Sequence, residues 1–304
     1  MREWWRDLTD LVLPAECGGC GRARSVLCPR CRTALSGAAP SRVRPVPEPP
    51  GLPVVHAAAR YADEVRAALL AHKERGVLAL TAPLGVALAG AVRAGLAEVW
   101  TRGRGARTGA RAEEAAVRAR CPVLLVPVPS PRRSVRRRGH DPARRIALAA
   151  AGELRRTGTP ARVVPVLRQR RPVADQSDLD ARQRMENLAG ALAVVPGGGL
   201  PLCGGPVVLV DDLMTTGASL TEAARALRAA TAGKGPRLSE RTTGPGTYWT
   251  AKSAVYPPAA GEGREERKAG PRMAGPNGGG GVIGEVICAA VVAASPDSFE
   301  INRN

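Results

Sequence analysis

The sequence predicts an α/β fold, a mostly parallel sheet flanked by helices, with a small four-cysteine knuckle at the N-terminus. Three observations carry that reading. Apolar runs of strand length alternate with segments of helical periodicity from about residue 54 onwards. One apolar run, VVLV at 207–210, ends on Asp211 and Asp212 and passes through TTGAS directly into a helical pattern. Upstream of all of this, Cys17, Cys20, Cys28 and Cys31 form two C-x2-C pairs.

The elements follow in order. At the N-terminus, Trp4, Leu8 and Leu11 share one face of a short helix, expected to pack on the protein itself. Glu3, Asp7 and Asp10 and the lack of a long apolar run argue against a signal peptide or a membrane span, so a cytoplasmic protein is expected. The segment holding the cysteine pairs is too polar and Gly-rich to form a core alone. Tetrahedral Zn2+ suits four thiolates in two knuckles, and it supplies the folding free energy that burial cannot. Two disulfides or four free thiols are the alternatives, and a reducing address disfavours the first. Cys121, Cys203 and Cys288 lie beside apolar runs and read as core residues.

Residues 37–53 carry six prolines and read as an extended linker, with a domain boundary near residue 50. After it come a strand at VVHAAARY, a helix at EVRAALLAHK, a long Ala-rich helix over about 81–99 and a strand at VLLVPVP. A helix over about 142–156, a strand at VVPVL, the strand VVLV and a helix over 219–230 complete the alternation. Residues 101–120 read as a basic surface loop with partial helix. Residues 232–285 lack periodicity and read as a disordered insert before the strand VICAAVVAA.

The charge is +18, and residues 121–172 hold thirteen arginines against Asp141 and Glu153, a net +11. Polyanions are the expected partners, either nucleic acid or phosphorylated small molecules. Aromatic residues make up only 3%, too few to build a stacking platform for single strands.

Carboxylates at the end of a buried strand serve several chemistries. No G-x4-G-K-[ST] run is present, so the acids are not the partner strand of a P-loop. The loop that follows decides instead. Thr215, Thr216, Gly217, Ala218 and Ser219 run into a helix start, where hydroxyls, peptide N–H groups and the helix dipole converge on a site of phosphate size. Two acids beside a monophosphate cradle suggest a ribose 5-phosphate ligand.

VVLVDDLMTTGAS closely resembles the phosphoribosyl-pyrophosphate (PRPP) signature of type I phosphoribosyltransferases. With the cysteine knuckle, HKERG at 72–76, VPVPSPRRSVRRRGHDPARRIA at 126–147 and DQSDLDARQRMENLAGAL at 175–192, the chain resembles the ComF family, competence-associated proteins that join a zinc knuckle to such a domain. The resemblance covers about residues 8–231 and 286–299 and omits the insert.

That resemblance implies a type I phosphoribosyltransferase-like fold, with Asp211 and Asp212 on the ribose hydroxyls and Thr215 to Ser219 on the 5-phosphate. Lys73, Arg75 and Gly76 become pyrophosphate candidates through the resemblance; from the residues alone HKERG reads first as a polar helix end closed by glycine. Arg132, Arg133, Arg136, Arg137, Arg138 and His140 suit a mobile loop closing over pyrophosphate, or else a solvated or DNA-facing patch. Mg2+ is implied with PRPP. Glu222 reads as a helix-surface residue. Two functions remain open: a phosphoribosyltransferase-like protein, and a non-catalytic PRPP-sensing or DNA-binding accessory of the DNA-uptake machinery. Acceptor and oligomeric state are left undetermined.

Overall fold

Six strands form one twisted sheet in the order β1-β2-β8-β7-β3-β4 in this computed structural model, which describes residues 16–104, 121–173, 181–232 and 286–302. The expected N-terminal helix, most of the 101–120 segment, residues 175–180 and nearly all of the 232–285 insert lie outside the described residues. β2 (Val55–Arg60), β8 (Val286–Ala294), β7 (Val207–Met214), β3 (Val123–Pro127) and β4 (Ala161–Val163) are mutually parallel. Only β1 (Ser41–Val43) runs antiparallel, against β2.

The unbroken apolar runs of the central strands have a direct cause, because a parallel sheet is covered on both faces. Val208 and Val210 of β7 pack into one buried cluster, and Val207 and Leu209 into another on the opposite face. The first cluster takes in α2 (Asp63–Lys73), α3 (Thr81–Arg104) and α5 (Pro142–Arg156); the second takes in α7 (Ala218–Ala232). The α5 helix begins at Asp141, whose carboxylate accepts from the Arg144 N–H at 3.3 Å, with Pro142 in its first turn. Its buried face reads Ala143, Ile146, Ala147, Ala150, Ala151 and Leu154, a helical spacing of small residues that lets α3 come close.

Between Leu78 and Thr101 the chain is long and apolar enough to cross a bilayer, and no other described helix is. It packs here in the protein core, with Leu80, Leu84, Leu88 and Leu96 fully buried.

Four sequence expectations change. The proline-rich linker carries an edge strand: Ser41, Arg42 and Val43 pair with Ala57, His56 and Val55. Leu52 packs against the second cluster, and Arg228 donates to the Gly51 carbonyl at 2.7 Å. Prolines are tolerated on either side of so short an edge because few ladder N–H groups are needed there. The knuckle is not a separate body either. Cys17, Leu27, Cys28, Cys31 and Leu35, the last two on α1 (Pro29–Ser36), share the first cluster with Leu69, Leu80 and Leu84, and the described residues belong to a single unit.

VVPVL is not one strand. β4 stops at Val163, Val164 N–H makes a last bond to Leu125 at 2.8 Å, and Pro165 cannot donate. The chain then turns into β5 (Leu167–Gln169), which pairs antiparallel with β6 (Leu192–Val194) in a two-stranded sheet of its own. Among the extra cysteines, Cys288 is buried as expected and burial, with the Glu98 charge, pushes its thiol up to about 12. Cys121 is half-buried, and the Cys203 side chain lies outside the described residues.

Candidate functional site

β7 delivers Asp211 and Asp212 to the carboxyl edge of the parallel strands, where open α/β sheets present their ligand crevices. Past Met214 the chain turns at Thr215–Gly217 and starts α7 at Ala218. Gly217 has φ +76°, the left-handed region that glycine enters freely. A side chain there would also meet Leu52 at 3.2 Å, so the former linker forms one wall of the turn. Asp211 and residues 213–220 line a concavity of about 260 Å³, open mouth included. The dipole of a 15-residue helix points its positive end into it.

The Asp211 and Asp212 side chains remain hydrogen-bonded to each other, and each has a further neighbour. Asp211 lines the concavity, and its Oδ1 accepts from the Asp212 N–H at 2.8 Å. Asp212, 5% exposed, turns instead to Lys73, whose Nζ stands 2.9 Å from Oδ2 and 3.3 Å from Oδ1. Burial and the neighbouring Asp212 charge hold the Asp211 carboxyl well above the usual range. For Asp212 burial pulls the same way, but the Lys73 ammonium outweighs it and holds the group ionised below its ordinary value. The Asp212 charge in turn raises Lys73.

Lys73 is brought there by the end of α2. Glu74 caps the helix, the Val77 N–H donates to the Ala71 carbonyl at 3.0 Å, and Gly76 takes φ +68°. HKERG is therefore a glycine-closed helix end, and it also places a cation on the acid pair. Arg75 and Gly76 are exposed.

The arginine run forms a short helix, α4 (Arg132–Arg138), with no buried residue, where a loop was expected. Its C-terminus folds back on HKERG. Arg138 donates to Glu74 through Nη2 at 2.5 Å and Nε at 3.1 Å, and Arg137 adds a contact at 3.5 Å. Arg132, Arg133 and Arg136 are exposed. His140 is buried, donates from Nδ1 to the Arg138 carbonyl at 3.1 Å, and meets His72 edge-on at 5.7 Å between ring centroids. Burial, then the nearby His140, lowers His72 to about 4. The structure thus brings Lys73, Arg138, His140, Asp211 and Asp212 into one neighbourhood.

Three contributors carry no clear signal in the sequence. Glu74 is the anchor for two arginines. Arg184 of α6 (Ala181–Leu188) donates from Nη1 to Thr215 Oγ1 at 3.4 Å. Glu222 is 5% exposed rather than on the surface: it accepts from the Leu192 N–H at 3.0 Å and pairs with Arg225 at 2.6 Å, tying β6 to α7. Glu74–Arg138, Arg184–Thr215 and Glu222–Leu192 are contacts between residues distant in the chain, invisible to local pattern.

The four knuckle cysteines converge as well. Their sulfurs all lie within 4.8 Å of one another, and none is in a disulfide. Cys20 and Cys28 sulfurs are 3.6 Å apart, against ~3.8 Å for two thiolates sharing a tetrahedral ion at ~2.3 Å. Burial disfavours the Cys17 thiolate, yet peptide N–H groups of Cys20 and Cys28 outweigh it and bring the thiol down to about 6. Cys28 N–H reaches Cys17 Sγ at 3.3 Å. A donor set of this kind is compatible with a structural zinc site. The chain matches no protein-family model and no curated protein.

Proposed function

We propose that the chain is a PRPP-binding, type I phosphoribosyltransferase-like protein of the ComF kind, transferring a ribose 5-phosphate group to an acceptor with release of pyrophosphate. One observation carries the reading: Asp211 and the Thr215–Ser219 turn line a single concavity at a helix start, with Lys73 drawn onto the adjoining Asp212. The turn would hold the 5-phosphate, the acids would face the ribose hydroxyls, and Lys73 with Arg138 would face pyrophosphate. In such a transfer the bond from the anomeric carbon to pyrophosphate breaks, its electron pair leaves with pyrophosphate, and the acceptor's lone pair forms the new bond. The cations stabilise the departing charge, and the carboxylates lie under the sugar as positive charge develops.

Among the described residues, no group of three metal-ligating side chains comes together apart from the cysteines. Mg2+ is implied with PRPP, where it would neutralise diphosphate charge, and Asp211 and Asp212 are the carboxylates at hand to hold it. The zinc assignment for Cys17, Cys20, Cys28 and Cys31 belongs to the same reading and gives the knuckle a structural role. The exposed Arg132, Arg133 and Arg136 favour a second reading, a DNA-contacting accessory protein.

Calorimetric titration with PRPP and Mg2+ tests the first. Saturable binding is expected, lost when Asp211→Asn and Asp212→Asn are combined; no binding by the wild-type protein refutes it. A pyrophosphate-release assay across candidate acceptors then separates transfer from sensing. If DNA is the partner, affinity falls steeply with salt and with neutralisation of Arg132, Arg133 and Arg136.

A further inference from the structure

We infer that Arg184 is the cation of the phosphate site, making the Thr215–Ser219 turn selective for a dianionic phosphate monoester; this rests on the ribose 5-phosphate reading above. The turn offers hydroxyls and peptide N–H groups, none of them charged, and Asp211 beside it is an acid. A phosphate dianion seated there calls for a counter-charge. Lys73 stands on Asp212 at 2.9 Å and is not among the residues lining the concavity. The guanidinium of Arg184 reaches the rim, where it donates to Thr215 Oγ1 at 3.4 Å in an exposed contact. That is a long bond for this donor, one that a charged oxygen would shorten and strengthen.

The approach is built into the fold rather than left to one flexible side chain. Arg171 donates to the carbonyls of Asn187 and Ala189, both at 2.9 Å, closing the C-terminal end of α6. The strand that follows, β6, is fastened to α7 at one residue: Glu222 accepts from Leu192 N–H at 3.0 Å and Arg225 donates to Leu192 O at 3.2 Å. The helix that presents the phosphate turn is thus the helix on which the β5-α6-β6 flap is anchored. Five donors in a planar fork allow Arg184 to meet two phosphate oxygens at once, which a lysine cannot do.

Ribose 5-phosphate and ribose are the probes. Arg184→Gln is expected to weaken ribose 5-phosphate by about 10- to 100-fold, the range of one charge-assisted hydrogen bond, without a change in unfolding midpoint. Arg182→Gln, on the same helix, should bind as wild type does. A phosphate monoester loses its second charge near pH ~6, so wild-type affinity should fall through that range and the Arg184→Gln profile should be flatter. Independently of any variant, ribose 5-phosphate should protect Arg184 from a guanidine-selective dicarbonyl reagent, and ribose should not. Unchanged affinity in Arg184→Gln while Asp211→Asn loses binding, or no protection at Arg184 by a ligand that binds, overturns the inference and leaves the ribose 5-phosphate reading standing. Failure of the wild-type protein to bind ribose 5-phosphate or PRPP overturns both.

Discussion

Replacing Lys73 by methionine keeps most of the unbranched side chain and removes its charge from an Asp212 side chain that is 8% exposed. Breaking a buried pair from one side costs about 3–5 kcal/mol, because the partner charge stays behind. Fully exposed pairs are worth only ~0.2–1 kcal/mol. With the Lys73 side chain 33% exposed, solvent screens part of the interaction, and about 2 kcal/mol is the working value. At a urea slope of ~2 kcal/mol per molar, the unfolding midpoint of Lys73→Met should drop by about 1 M near neutral pH.

The pH dependence has a definite sign. The folded pKa of Asp212 lies below its unfolded value, so its stabilisation is complete above about pH 4 and is lost as pH falls through the folded value. Lys73 has the opposite shift: its stabilisation is complete below about pH 10 and is lost as pH rises through its folded value. In Lys73→Met burial is left unopposed, the Asp212 carboxyl protonates more readily, and the variant recovers in acid. Urea titrations at about pH 7.5 and about pH 4.5 read both effects. Equal midpoints near neutrality, or a gap that does not narrow in acid, would refute the reasoning.

Metal analysis of the purified protein should find about one zinc per chain. Cys28→Ser should release it and also lower thermal stability, because Cys28 and Leu35 share the cluster that holds Leu80 and Leu84. At the phosphate turn, Gly217→Ala places a Cβ 3.2 Å from Leu52 on a residue at φ +76°. The conformational cost alone is about 1–2 kcal/mol, and ribose 5-phosphate affinity should fall with it when measured calorimetrically.

Much of the fold was legible because strand and helix signals are local. VLLVPVP, VVLV and VICAAVVAA are continuous apolar runs, and sheets covered on both faces require them. The run at 163–167 misled for a local reason too: Pro165 could not extend the ladder, and no hydrophobicity count registers a missing N–H. The proline-rich stretch looked like a linker because its composition is that of one. It became an edge strand only because Val55–Arg60 presented an unpaired edge beside it.

The sequence by itself determined the alternating α/β order, the four-cysteine set and the strand-acid-turn-helix run at 207–220, since each is written in residue type and spacing. Only the tertiary structure decided that Asp211 lines the concavity while Asp212 takes Lys73, and that Glu74 holds Arg138 and Arg137. It also decided that Arg184 meets Thr215, and that Glu222 is buried. The physical reason is the same throughout: each rests on a polar contact between residues from 30 to 139 positions apart, and such pairing depends on distance in space, which no local pattern encodes.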